Sequence, residues 1–166
     1  MNLTRPLVLA IVMMICLSPD SAQANGTSLN EFSLELSDEA REAVNAGVTF
    51  SFTVDFAVLK SWGIFTRETQ TKSHRITLLR HALSNRYIVK LDNKDMPHIF
   101  RSVAQALNFI AAQSRNMLEL YSTPELLYSM RISLNKFELP TPLRLKAFLT
   151  PAWDIDTGWI KWASAN

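Results

Sequence analysis

The chain has 166 residues, a formal net charge of +2 and one cysteine, Cys16. This length suits one domain of ordinary size, and the small net charge alone indicates no class of partner. Cys16 lies in a segment that we expect to be removed, so the remaining chain has no cysteine for a disulfide, a metal site or a thiol nucleophile. Core packing must therefore hold the fold.

The first 24 residues have the pattern of a cleavable signal peptide. Residues 1–5 are short and positive, residues 6–17 (PLVLAIVMMICL) are apolar, and residues 22–24 fit the small-residue rule for cleavage. The apolar run is shorter than the roughly 20 residues of a membrane span. We predict a periplasmic protein with residues 25–166 as one domain and no transmembrane span after cleavage. An uncleaved anchor is the alternative.

The first predicted elements follow directly. Phe32, Leu34 and Leu36 alternate with polar residues, which predicts a short strand. Residues 37–47 (SDEAREAVNAG) begin with a serine N-cap and end at a glycine, which predicts a short surface helix.

From residue 50 the period becomes two, as in a strand with one buried face. Residues 60–72 predict a hairpin or a long strand crossing a bend, and residues 74–83 and 85–91 predict two more strands. The apolar positions of the first strand are Phe50, Phe52, Val54, Phe56 and Val58.

Residues 95–114 show helical spacing instead. Asp95 can cap a helix and Pro97 fits its first turn, so we predict a long helix over residues 96–113 that covers a sheet face. Its apolar stripe is Phe100, Val103, Leu107, Ile110 and Ala111.

The rest of the chain predicts further strands. Leu118 and Leu120 indicate one strand, residues 128–134 indicate another, and residues 153–162 supply the last pairing. Residues 138–148 contain two prolines, which predict a turn into a strand that carries Leu143, Leu145 and Ala147. The total is seven or eight strands with one long and one short helix. This is an α+β fold with a mainly antiparallel sheet, and a two-layered, sandwich-like arrangement stays open.

Positive charge is concentrated between residues 60 and 90, where Glu68 is the one acid. Alternate residues of a strand lie on the same face of a sheet, so basic residues at matching positions on neighbouring strands would share one face. Such a basic face could bind an envelope protein or an anionic lipid surface. A solvated sheet face is the alternative, and no motif indicates nucleic acid. The candidate residues are Lys60, Arg67, Lys72, Arg75 and Arg80.

The tryptophans allow two interpretations. An exposed aromatic patch would suit a binding surface, because Trp is enriched at interface hot spots. Alternatively, Trp153 and Trp162 pack on the long helix and close the sheet. The four candidates are Trp62, Trp153, Trp159 and Trp162.

The sequence offers little for catalysis or metal binding. Asp154 and Asp156 resemble the start of a calcium loop, but the later ligand places do not follow, so we interpret residues 156–158 as a turn that reverses the chain. The histidines lack a zinc spacing, and no nucleophile elbow or phosphate loop is present. We predict no metal, no cofactor and no enzymatic activity.

Several blocks together resemble a known family. These are GVTFSFTVDFAVLKSW, RITLLRHALSNRYIVKL, SVAQALNFIAA, SMRISLNKFELPTPLRLKAFL and WDIDTGWIKW. Over residues 29–163 the chain resembles the proteobacterial exported family known as domain of unknown function 4390. One departure is Gly63, where the family often has an aromatic residue after the tryptophan at position 62. The resemblance implies an exported single domain without known catalytic residues. Its genes often lie near an envelope sensor kinase, which suggests envelope signalling.

Three functional hypotheses follow. The first is a periplasmic interaction or adaptor module with an exposed patch. The second is a carrier of an apolar or anionic envelope ligand, with a cavity beneath the helix and basic residues at its mouth. The third is a hydrolase with a perturbed histidine or carboxylate inside a cleft. The sequence indicates no oligomeric state.

The signal-peptide interpretation is directly testable. We expect the exported protein to begin at Asn25, because Ala22 and Ala24 occupy the small-residue places of the cleavage site. N-terminal sequencing of the periplasmic fraction measures this. Recovery of a chain that starts at Met1 in the membrane fraction would instead indicate an anchor.

Overall fold

A computed structural model describes residues 32–62, 65–92, 96–121 and 127–163. Its main feature is a six-stranded antiparallel sheet with the order β4-β3-β2-β1-β5-β6. The predicted α+β class is therefore confirmed. The strands are β1 (Phe50–Trp62), β2 (Phe65–His81), β3 (Arg86–Leu91), β4 (His98–Phe100), β5 (Leu127–Leu134) and β6 (Ile160–Ala163).

The described residues also form three α-helices, α1 (Asp38–Asn45), α2 (Val103–Tyr121) and α3 (Thr141–Leu149). Ser37 caps α1 as predicted, and its hydroxyl accepts a hydrogen bond from the amide of Ala40. Gly47 follows α1 with a φ of +93°, a conformation that glycine adopts without strain.

One face of the sheet is the core. The predicted alternation of β1 is confirmed, because Phe50, Phe52 and Val54 are fully buried on one face. Their neighbours on β2 and β5 are also apolar, since Phe52 lies opposite Ile76 and Leu134. Helices α1 and α2 cover this face, and α2 contributes Ala106, Leu107, Ile110 and Ala111.

The opposite face of the central strands carries polar side chains. Ser73 lies opposite Asp55 on the β1–β2 pair and donates a hydrogen bond to its carboxylate at 2.5 Å. Asp55 also lies opposite Arg131 on β5. A sheet with one apolar and one polar face matches the alternation in the sequence.

The N-terminal strand prediction is wrong. Phe32, Leu34 and Leu36 are buried while Ser33 and Glu35 are exposed, so the alternation of burial is real. However, residues 32–37 have no neighbouring strand in the described sheet. Alternation reports which side chains are buried, and it does not report whether the backbone has a partner.

The long helix is displaced from its predicted position. Residues 98–100 form β4 and pair with β3, so α2 begins at Val103 and Pro97 precedes a strand. The helix then continues to Tyr121 and includes Leu118 and Leu120, for which a strand was the prediction. Ile110, Ser114 and Met117 are buried at helical spacing, which extends the stripe beyond the predicted end.

The strand predicted at residues 143–147 is a helix, α3. Pro140 is its N-cap residue and Pro142 lies in its first turn, where a missing amide hydrogen costs nothing. Leu143 and Ala147 are four residues apart and face inward, whereas Leu145 is exposed. Apolar residues at positions 143, 145 and 147 therefore do not require a strand, because a helix can turn the first and the third toward the core and leave the second exposed.

The core position of α2 predicts the effect of a cavity. We expect Ile110→Ala to lower the free energy of unfolding by about 2–5 kcal/mol, because Ile110 is fully buried in the core cluster. Urea unfolding measures the change. The exposed Asn108→Ala on the same helix is the control, with an expected change within about 0.5 kcal/mol. Equal losses in both variants would contradict this packing.

Candidate interaction surfaces

The predicted basic residues do not all share a face. Lys72 lies opposite Phe56 and Arg80 lies opposite Tyr87, so both belong to the face that carries the core. Arg75 lies opposite Thr53 on the other face. The prediction of one basic face is therefore wrong for these three residues, because their numbers differ in parity. Lys60 and Arg67 lie opposite each other in the β1–β2 pair, and their side chains are outside the described part.

Arg75 and Arg80 make structural contacts. Arg75 pairs with Glu138 at 3.0 Å. The guanidinium of Arg80 donates to the backbone carbonyl of Asn45 at the end of α1 and to the side-chain carbonyl of Asn85 at 2.6 Å. An arginine at a helix C-terminus interacts favourably with the helix dipole. Arg80 therefore ties α1 to the β2–β3 turn.

The tryptophans divide between core and surface. Trp153 is buried against Phe50, with 5.8 Å between the ring centroids, so the exposed-patch interpretation is wrong for this residue. Trp153 is thus a core residue, but its aromatic neighbour is on β1, and its turn contacts α1 and α3 instead of the long helix on which it was predicted to pack. Trp159 is 41% exposed, and the side chains of Trp62 and Trp162 lie outside the described part.

A partly exposed ion pair joins α1 to α3. The Glu39 carboxylate lies beside the ammonium group of Lys146 and the indole of Trp153. The adjacent Lys146 ammonium, assisted by the nearby Trp153 indole, lowers the pKa of Glu39 below its usual range. Glu39 also lies in the first turn of α1, where a negative charge is favourable.

The aspartates of the closing segment are engaged by cations. Arg131 donates from Nε to both carboxylate oxygens of Asp156, at 2.9 and 3.0 Å, and the Gly158 amide donates to the same group at 2.8 Å. These hydrogen bonds, chiefly that of Arg131, lower the pKa of Asp156. Asp154 pairs with Lys136 at 3.0 Å. Both carboxylates thus form ion pairs with cationic side chains of the same fold, Asp156 with Arg131 and Asp154 with Lys136.

The segment at residues 156–158 is a bulge and does not reverse the chain. Asp156 lies opposite Ser133 and Ile160 lies opposite Met130, so the chain follows β5 on both sides of the segment. The register shifts by one residue between these pairs, and Gly158 has a φ of +66°. A glycine in this conformation is typical of a β-bulge. The prediction that residues 156–158 reverse the chain direction is therefore wrong, and Gly158 instead allows a β-bulge in a chain that continues along β5.

An exposed apolar surface lies on α3 and the 3-10 turn before it. We name Phe137, Leu145, Phe148 and Leu149 the α3 apolar surface; each is between 50 and 75% exposed. The rings of Phe137 and Phe148 are in contact, with centroids 5.1 Å apart. Leu145, Phe148 and Leu149 share one helix side by their spacing of three and four residues. Sequence reasoning missed this surface because it predicted a strand here; the same spacing was the available signal.

Two clefts border residues 33–35. The first, of about 420 Å³, is lined mainly by residues 33–37 and 151–157. The second, of about 380 Å³, lies between the same residues and α2, and its lining includes Arg41, Leu107 and Asn108. The acidic side chains of Glu35, Asp154 and Asp156 line the first cleft. The first cleft therefore differs from the basic-mouthed cavity expected of an anion carrier, whereas the second lies against α2 and has both Arg41 and Glu35 in its lining.

The histidines make separate local contacts. His74 packs edge-on against Phe56, and His98 packs on Phe109 with ring centroids 4.4 Å apart. His81 is hydrogen-bonded to Ser84 through Nδ1 at 2.9 Å. Within the described ranges, no group of three or more histidine, aspartate or glutamate side chains is placed to hold a metal ion. None of the helices in those ranges is long and apolar enough to cross a membrane.

The family model described as Domain of unknown function (DUF4390) matches residues 22–163. The chain belongs to this family. The match includes the sheet, all three helices and the α3 apolar surface, so the whole described fold lies within the DUF4390 domain. No curated protein and no solved structure matches the chain.

The Arg131–Asp156 pair predicts a pH dependence of stability. The pKa of Asp156 is lower in the folded chain than its usual value of about 3.9, so ionised Asp156 stabilises the fold above that pH. This contribution is lost as the pH falls through the lowered pKa. We expect Asp156→Asn to be less stable than wild type near neutral pH, with a difference that shrinks under acid.

Urea unfolding between about pH 7 and pH 2.5 measures this difference. Asp154→Asn is the control: its side chain is 69% exposed, and we expect a smaller loss because exposed ion pairs contribute little. A difference for Asp156→Asn that stays constant over the whole range would contradict the assignment.

Proposed function

We propose that this DUF4390 protein is a non-enzymatic interaction module of the periplasm that binds a protein partner through the α3 apolar surface. The observation that carries the proposal is the contiguous exposure of Phe137, Leu145, Phe148 and Leu149. Single exposed apolar residues are common on monomers, whereas contiguous apolar patches mark interaction sites.

The energetics favour a covered surface. Burying one large apolar side chain contributes about 1.5–3 kcal/mol, and aromatic residues are frequent interface anchors. Phe137 and Phe148 support each other by their ring contact, so they offer a partner a preformed aromatic pair. A preformed contact of this kind reduces the conformational entropy lost on binding.

The neighbouring charges favour a protein over an anionic bilayer. Lys146 on α3 contacts Glu39, and Lys136 beside Phe137 pairs with Asp154. Arg144 donates to the backbone carbonyl of Leu139 at 3.2 Å. Membrane-bound amphipathic surfaces generally place available lysine and arginine beside the apolar side chains. Here the adjacent cations already have partners in the fold.

The alternatives have less support. An anionic ligand would meet Glu35 in both clefts, beside Arg41 in the second. A hydrolase would need cooperating catalytic side chains, whereas each of the three histidines makes a separate local contact. A link to envelope signalling stays an expectation from the family resemblance.

The proposal is tested by crosslinking in living cells. We expect a photo-crosslinking amino acid at Leu145 or Phe148 to trap one protein partner, because both side chains point to solvent on the α3 apolar surface. The same amino acid at Lys90, an exposed position on β3, is the control and should give no such adduct. Adducts of equal yield at all three positions, or none at α3, would overturn the proposal.

Affinity gives a second readout once the partner is trapped. Phe148→Glu should weaken binding more than tenfold, because it replaces an aromatic anchor with a charge. The matched control is Leu83→Glu, an exposed apolar position 95% accessible on the β2–β3 turn. Both variants should unfold at wild-type urea concentrations, which separates lost binding from lost folding.

A further inference from the structure

Residues 32–37 cross the molecule as an extended chain without a strand partner. Phe32, Leu34 and Leu36 fill the core, yet no backbone-to-backbone hydrogen bond joins residues 32–36 to another described residue. Arg41 reaches the carbonyl of Leu36 with its side chain at 3.4 Å. The backbone groups beside Ser33 and Glu35 are therefore open to an external partner, as on an edge strand.

A second open edge lies across the first cleft. The Leu134 amide donates to the Ile155 carbonyl at 2.8 Å, and the Thr157 amide donates to the Ile132 carbonyl at 3.0 Å. Asp156 and Ser133 on β5 therefore form a non-hydrogen-bonded pair of the antiparallel ladder. The amide hydrogen and carbonyl of Asp156 point away from β5, outward from the edge of the sheet.

Residues 33–37 form the first wall of the first cleft and residues 152–157 form the second. The two walls approach each other at one end. The Ser37 hydroxyl donates to the Ala152 carbonyl at 2.6 Å, and this contact joins the walls. The first wall runs toward that contact from Ser33, and the second runs away from it to Thr157, so the walls are antiparallel. Between them lies the first cleft, whose floor includes the buried side chains of Leu34 and Ile155.

We propose that the first cleft binds an extended segment of a partner protein by strand addition, and that this segment carries a lysine or arginine. Unpaired amide and carbonyl groups on the walls are complementary to another polypeptide backbone. Glu35 is exposed in this cleft and adds charge complementarity for a basic residue, whereas Asp154 and Asp156 are already paired with Lys136 and Arg131. The cleft volume also lies within the usual range of binding sites, about 300–1,000 Å³.

This site is separate from the α3 apolar surface. None of the residues that line the cleft belongs to that surface, and different forces act at the two places: backbone hydrogen bonds at one and apolar burial at the other. A module with both sites could hold two partners at once. Failure of either proposal leaves the other standing, because Glu35→Lys should weaken binding at the cleft alone and Phe148→Glu should weaken binding at the α3 apolar surface alone.

The probe is a phage library of random dodecapeptides selected on the full exported protein. We expect enrichment of sequences that combine lysine or arginine with β-branched residues and lack proline, because proline cannot donate to a strand ladder. Enrichment of acidic sequences, or none above an uncoated surface, would overturn the proposal.

The most enriched peptide then tests the mode of binding. A copy N-methylated at alternate residues keeps its side chains and loses those backbone donors, so its affinity should fall more than tenfold. In amide exchange by NMR, the Asp156 amide should become protected when the unmodified peptide binds. Equal binding of both peptides, or an Asp156 amide that stays unprotected, would show that the site does not add a strand.

Variants locate the site. Glu35→Lys reverses an exposed charge in the cleft and should weaken the peptide about two- to fivefold, the usual worth of one exposed ion pair or slightly more. Glu42→Lys makes the same charge change on the exposed side of α1 and should leave binding unchanged. Phe148→Glu should also leave it unchanged. Equal loss in the two lysine variants would mean that only net charge matters, and loss in Phe148→Glu would assign the peptide to the α3 apolar surface.

Discussion

The fold depends on one constraint: β1 must keep its apolar side chains on a single face while it pairs with strands on both sides. Phe50, Phe52 and Val54 satisfy this constraint and are completely buried. Because β2 and β5 are in antiparallel register with β1, their apolar side chains fall on the same face. The helices then have one surface to cover. Residues 32–163 contain no cysteine, so this packing stabilises the described fold without a disulfide.

At the margins of this core, some residues bury their side chains while their backbone groups stay outside the hydrogen bonds of the sheet. The chain at residues 32–37 contributes side chains to the core but leaves its backbone outside the sheet. The segment that follows β5 likewise has an open side, because Asp156 forms a non-hydrogen-bonded pair with Ser133 and its backbone faces outward just before the bulge at Gly158. Both features lie where the sheet ends. Sheet edges with open hydrogen-bonding groups are natural places for recognition by an added strand.

Five cationic side chains make contacts within the molecule. Arg75, Arg131, Lys136 and Lys146 each contact a carboxylate, and Arg80 holds the end of α1. These contacts join helices, turns and strands that are distant in sequence. The features most available to a partner are then the α3 apolar surface and the open backbone beside the first cleft. This is the physical basis on which we favour an interaction module over an anion carrier for this DUF4390 domain.

The sequence by itself determined the α+β class, the one-sided alternation of β1 and β5, and the capped helix α1, because each depends on side-chain order over a few neighbouring residues. Tertiary structure decided the rest. Residues 98–100 became β4 because β3 offered a partner, and Leu143, Leu145 and Ala147 became helical because α3 buries the first and third of them. The odd and even numbering of Lys72, Arg75 and Arg80 along β2 already indicated that they lie on different faces of the sheet, but the sequence did not indicate which residues they contact. Ion pairs such as Arg75–Glu138, and both candidate sites, join segments far apart in the chain, so only the folded structure brings them together.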